Sequence, residues 1–268
     1  MKREISLHAL VIFMLVVGVA VQAKAQTDKY PEMVLVEGGT FQMGSIDGED
    51  DERPIHSVTV ADFYMGKYEI TVAQYQIFCD ATGTVMPQPP KWGYLAKHPL
   101  VNVNYPQAIA YCKWLSNETG EEYRLPTEAE WEFAAKGGKL SKGYADGKYY
   151  KYSGSSFVEE VAWYKADETT KQVGQGDTET KYMPNELGIY DMSGNVWEWC
   201  SDFYDETYYE VSPTADPKGP IRGNYRVQRG GSWANEPHKI RITYRVANVP
   251  ENAGFTDGFR VVKTAKKK

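Results

Sequence analysis

Apolar positions in this chain come in short bursts, and their spacing shifts from two residues to three or four and back. Between Tyr30 and Gly44, Met33, Leu35 and Phe41 interleave with small or polar residues, so the pattern predicts strand with a turn at Gly38-Gly39. Val58-Thr59-Val60 and Phe63-Tyr64-Met65 read as further short strands. Thr71 is placed to cap a helix that runs to about Thr82 and stops at Gly83. A second helix is expected from about Pro106 to Thr119, with Asn104 near its start and Gly120 at its end. Its positions Ala108, Ile109, Cys112 and Leu115 follow helical spacing, which predicts one buried face. Thr127 and Glu130 have the spacing of a capping box and open a third helix that ends at Gly137-Gly138.

Elsewhere the periodicity fades. Leu140 to Met183 is dominated by Gly, Ser, Tyr and charged residues, Asp205 to Tyr225 holds three prolines, and Val227 to Val262 alternates short strands with Pro237 and Pro250. One stretch stands out, Gly188 to Asp202. There Trp197 and Trp199 flank Glu198, and strand alternation sends the tryptophans to one side and the carboxylate to the other. A carboxylate between two large aromatics needs a cation or hydrogen-bond donors if it is buried. Leu125 to Glu132, Arg229 to Trp233 and Gly258-Phe259-Arg260 read as its packing partners. The pattern thus predicts one α+β domain with three helices, short antiparallel strands and much irregular backbone.

Composition changes this picture mainly at the ends. The 268 residues are 42% hydrophobic and 25% charged, as suits globular structure. Residues 1–25 read as a signal peptide: Lys2 and Arg3 precede the apolar run Ala9 to Val21, and Ala23-Lys24-Ala25 supplies a cleavage site. The domain then occupies 26–268, exported to the periplasm or the medium, with no stable membrane span once the leader is removed. Without the leader the chain carries 27 basic and 35 acidic residues, a balance that argues against nucleic acid as a partner. Three cysteines, Cys79, Cys112 and Cys200, make no disulfide framework and are expected to be structural. The acids Asp47, Glu49, Asp50, Asp51 and Glu52 lack the spacing of an EF-hand and read as a solvated turn. Tyr144, Tyr149, Tyr150, Tyr152 and Tyr164 either line a sugar or peptide groove or pack a long loop onto the body.

Six blocks in order then carry a resemblance. They are Gly39 to Ser45, Asp51 to His56, Arg124 to Glu132, Asn185 to Trp199, Arg229 to Trp233 and Gly258 to Arg260. Together they resemble the formylglycine-generating enzyme, or sulfatase-modifying factor, family over about Glu32 to Val262. The resemblance implies a compact α+β fold related to C-type lectins. It also implies a choice of functions, because the family includes copper-dependent oxidases of sulfatase cysteines, iron-dependent sulfoxide synthases, a periplasmic pyoverdine-maturation protein and envelope proteins without demonstrated chemistry.

The residues narrow that choice. The family's oxidases hold Cu(I) with two cysteines in the segment after Gly-Gly-Ser, and here Trp233 to Arg245 contains none. Harder oxygen and nitrogen ligands hold Cu(I) poorly, which speaks against copper. The histidines left after the leader, His56, His98 and His238, are widely separated and suggest no iron site. Ser232, Trp197, Glu236, His238 and Tyr244 are the candidate cleft residues that the resemblance implies. It also implies a structural calcium site in Asp191-Met192-Ser193-Gly194-Asn195-Val196-Trp197-Glu198. Asp191 and Glu198 would give carboxylate oxygens there, and Gly194 and Val196 carbonyls. The alternative is that Glu198 pairs with a buried arginine such as Arg260. The expected function is an exported, non-catalytic binding or scaffolding domain of the bacterial envelope, taking an envelope protein, a peptide or a glycan. An enzyme of altered chemistry comes second and sulfatase activation last.

Overall fold

The computed structural model describes residues 29–165, 168–174 and 182–266. The expected leader, 1–25, lies outside the described residues. Among those described, no helix is long and apolar enough to cross a membrane.

Among the described residues, ten short strands form three sheets. In the first, β4 (Phe63–Gly66) pairs with β1 (Met33–Val36) and with β10 (Val262–Thr264), which also takes β5 (Tyr123–Arg124). Here the end of the chain closes on its beginning. A hairpin of β2 (Gly39–Met43) and β3 (His56–Val60) makes the second. The third runs in the order β8 (Arg245–Asn248), β7 (Arg226–Arg229), β6 (Trp197–Phe203), β9 (Asp257–Gly258). Its β6–β9 pairing is parallel, the one departure from the expected antiparallel pattern among these ladders.

The three helices expected from the sequence begin where their capping residues stand. In α1 (Val72–Thr82), α2 (Tyr105–Thr119) and α3 (Glu128–Ala135), Thr71, Asn104 and Thr127 each accept from the third helical amide. Gln74, Gln107 and Glu130 return the bond. Gly83 and Gly120 end the first two in the left-handed region, at φ 72° and 69°. The buried face of α2 is wider than the spacing predicted. Tyr111 and Trp114 join Ala108, Cys112 and Leu115 in the interior, and Ile109 is exposed instead.

Two apolar cores result. One gathers Phe41, Val58, Trp131, Phe133, Met192 and Val227 beneath the hairpin and α3. The other packs Tyr75, Phe78, Tyr111 and Trp114 of α1 and α2 against Trp199 and Phe259. Strand β6 runs between them, with Cys200 in the first core and Trp199 in the second. The tyrosine-rich tract packs rather than opens: Tyr144 and Tyr149 lean on the first core, and Tyr152 is buried in a small third cluster beside Tyr164.

Candidate functional site

The segment after Gly230-Gly231 begins with a tight turn. Ser232 is fully buried, and its amide and hydroxyl both donate to Asn235 Oδ1, at 2.9 and 2.7 Å. Of the expected cleft residues, Ser232 closes this turn. Trp197, His238 and Tyr244 do come together: Tyr244 lies 6.0 Å from Trp197 and 6.3 Å from His238, centroid to centroid. Glu236 stands outside them in an exposed ion pair with Lys165, at 2.7 Å. Burial raises the Tyr244 phenol above its usual pKa, so it is protonated at neutral pH.

Beside these residues three loops bring aromatic rings to the surface. Trp92 stands edge-on to Trp233 at 5.6 Å, and half-exposed Phe255 lies 6.0 Å further along. The Trp233 indole donates to the Phe255 carbonyl at 3.3 Å. Trp92 and Phe255 did not emerge from the sequence because they come from irregular loops, where no period marks a side chain's direction.

Below this surface lies a layer of buried charge. Arg260 grips Glu198 with two bonds of 2.6 and 2.7 Å and spends its other donors on the carbonyls of Gly66 and Tyr190. The Trp131 indole donates to the same carboxylate at 2.7 Å. On α3, Glu128 pairs with Arg245 at 2.7 and 2.8 Å, and Glu132 with Lys136 and Arg229. Lys136, fully enclosed, also donates to the Gln42 carbonyl, and burial draws its pKa below the ordinary lysine value. Burial opposes ionisation of Glu132, yet Lys136 and Arg229 keep its pKa below the carboxylate norm. The acidic loop belongs to this layer too. Glu52 was expected in a solvated turn, but it is fully buried and holds Arg241 at 2.6 and 2.8 Å. It thereby fastens the cleft segment to the body.

Two carboxyls break the pattern. Glu69, between β4 and α1, accepts from Asn195 at 3.0 Å and stands beside the Asp191 carboxyl. Asp191 accepts from the Gly174 amide at 2.7 Å. Burial, then the charge of Asp191, drives the Glu69 pKa well up, and burial brings Asp191 to about 6. Among the described residues no group of three or more His, Cys, Asp or Glu side chains is arranged to hold a metal ion. Of the residues named for a calcium site, Glu198 directs both carboxylate oxygens to Arg260 and Trp131, the pairing expected as its alternative. Asp191 lies beside Glu69, a residue the sequence did not single out because it lies over a hundred positions upstream.

The cysteines are all interior. Cys79 and Cys112 lie in α1 and α2 and Cys200 in β6, and burial raises each thiol, Cys112 to about 12. Thiolate, the form that binds soft metals, is thus disfavoured at each. Comparison with known proteins agrees with the six blocks. The profile of the sulfatase-modifying factor enzyme 1-like domain matches residues 19–265.

The chain belongs to this family. It is 31% identical to the formylglycine-generating enzyme of Streptomyces coelicolor, over 87% of this chain and 89% of that one. A 34% match to the serine/threonine-protein kinase pkn1 of Chlamydia pneumoniae takes in 97% of this chain but 43% of the kinase, so the chain spans less than half of that relative. Among solved structures, PvdO from Pseudomonas aeruginosa superimposes with a TM-score of 0.75 and 29% identity, over 89% and 96% of the two chains. A surface depression of about 970 Å³ lies over β4 and β10, between Asp62 and Asp216 on one flank and Arg124 and Glu130 on another.

Proposed function

We propose that this chain is an exported, non-catalytic member of the sulfatase-modifying factor family that binds a peptide, protein or glycan of the cell envelope. One observation carries the reading: the segment in which relatives place their copper cysteines is filled here by a turn and by aromatic rings. Trp233 and Tyr244, backed by the buried Trp197 and extended by Trp92 and Phe255, give contact area at low entropic cost, as suits a binding surface. The buried ion pairs hold that surface rigid from below, and Glu52 on Arg241 ties it to the hairpin. A second reading, an enzyme of altered chemistry, is favoured by the neighbouring His238 and Tyr244, which could move a proton between them and a bound substrate.

A sulfatase-derived Cys-x-Pro-x-Arg peptide separates these readings from sulfatase activation. Incubated with the protein, Cu(I) and oxygen, the peptide should keep its mass. Conversion of its cysteine to an aldehyde, lost in Cys200→Ser, would refute the non-catalytic reading. Binding itself is tested by pull-down of envelope proteins and glycans with the wild type and with Trp233→Ala, which should recover less of the ligand.

A further inference from the structure

The arginines of the folded body are matched to carboxylates one by one, and one of them is left over. Arg124, Arg229, Arg241, Arg245 and Arg260 each face a carboxylate at hydrogen-bond distance. Arg226, the first residue of β7, is half-buried and has no carboxylate within ion-pairing distance among the described residues. It stands opposite Phe203 at the end of β6, whereas Trp197 of the cleft stands at the beginning of that strand. Six strand steps separate the two places, roughly 20 Å.

The surroundings hold this guanidinium in place without neutralising it. Phe203, Arg226 and Asn248 lie opposite one another across β6, β7 and β8, which puts their side chains on one face of the sheet. The guanidinium carbon is 3.5 Å from the centre of the Phe203 ring and 4.4 Å from that of Tyr105, at the start of α2. Nη1 donates to the Ser201 carbonyl. Asn248 gives its own amide to Gln228 Oε1 at 2.9 Å and accepts from the Asn252 amide at 3.0 Å. Rings, carbonyl and amides are all uncharged. Nε is enclosed without an acceptor, while Nη2 makes no hydrogen bond among the described residues and is not enclosed. Aromatic faces attract a guanidinium but leave its charge in place, and a partly desolvated charge is costly without a counter-charge.

We propose that Arg226 anchors a second ligand site, separate from the aromatic cleft, and that the group it takes through Nη2 is a carboxylate. An arginine held against aromatic rings presents its donors in a fixed plane, the geometry that a carboxylate matches. One guanidinium offers one positive charge, which balances a carboxylate and falls short of a phosphate dianion. Exposed Asn252, bonded to Asn248, adds an amide for the rest of the ligand. The carboxylate comes from the end of a peptide or from a sugar acid, two sources with the same chemistry at this point.

The test titrates the whole chain calorimetrically at low ionic strength with N-acetyl-alanyl-alanine, its carboxy-terminal amide, glucuronate and inorganic phosphate. One of the two carboxylates should bind, and which one does identifies the source. The amide and phosphate should bind more weakly by roughly tenfold or more, the loss expected when a charge-assisted hydrogen bond is missing. Arg226→Gln should weaken the carboxylate by the same factor. Arg226→Lys keeps the positive charge and loses the planar fork, so it should also weaken binding, by less, and its melting curve shows whether the fold is kept. The proposal is overturned if neither carboxylate binds the wild type, if the amide binds as well as the free acid, or if phosphate binds more tightly than both. Carboxylate binding that is unchanged in folded Arg226→Lys and in Arg226→Gln would place the ligand elsewhere and overturn it as well. None of these results depends on Trp233, so the function proposed for the cleft stands or falls separately.

Discussion

Two sets of buried carboxylates lie close together in this molecule, and they are treated in opposite ways. Glu198, Glu128 and Glu132 each face an arginine within a short hydrogen bond, and Glu132 has Lys136 as well. Glu69, Asp191 and Asp202 have no cation within ion-pairing distance among the described residues. Their pKa values rise accordingly, Asp191 to about 6 and Asp202 to about 7, with burial as the leading cause. Depth is the same in both sets. What differs is the company: the first set is ion-paired and rigidifies the body, and the second is buried without such a pair among the described residues.

The largest effect is expected at the paired set. Replacing Arg260 by Leu strands Glu198 in the interior and also frees the carbonyls of Gly66 and Tyr190. Removing one partner of a buried pair costs about 3–5 kcal/mol, read as a loss in denaturant unfolding. The double change Glu198→Leu with Arg260→Leu should cost much less than the sum of the two single changes, because it strands no charge. Additive losses would mean that the pair acts through packing alone.

A smaller effect, of opposite pH sign, is expected at Asp202. Its carboxyl accepts from the Glu128 amide and from Ser201, both at 3.0 Å, and burial next to Glu128 holds the proton on it. A carboxyl whose folded pKa lies above its unfolded value near 3.9 favours the folded state below that value. The contribution is lost as pH rises towards about 7. Asp202→Asn keeps an acceptor and removes the ionisation, so the variant should gain stability on the wild type between pH 4 and 8, by roughly 1 kcal/mol or more at the upper end. A constant difference in melting temperature across that range would contradict the assignment.

How much of this was legible beforehand follows from the kind of interaction. The helices were legible because each capping residue acts within four positions of itself, as Thr71 does with Gln74. The Glu198–Arg260 pair was legible because a glutamate between tryptophans demands a partner, and Gly-Phe-Arg offered one. Glu52 and Glu69 were misread or missed for the same physical reason. Their environments are made by residues 189 and 126 positions away, Arg241 and Asn195, and no local pattern marks such neighbours. Ser232 was named for its position after Gly-Gly, and the turn it forms there depends on Asn235, three residues on. Ile109 shows the limit of spacing arguments: helical period places it near the buried face, and tertiary packing then selects Tyr111 and Trp114.

The smallest effect should come from the one ion pair at the cleft that is open to water. Lys165 and Glu236 approach to 2.7 Å, yet both side chains are about half exposed. Water screens such a pair, and holding two long side chains together costs entropy, so exposed pairs contribute only about 0.2–1 kcal/mol. Glu236→Gln should therefore change the unfolding free energy by less than about 1 kcal/mol, and the difference should shrink as salt is raised from low to physiological levels. This is the reverse of Arg260→Leu, whose cost should be nearly independent of salt. A loss at Glu236 that matches the buried pairs, or that ignores salt, would place this carboxylate inside the rigid layer and make the cleft rim part of the scaffold.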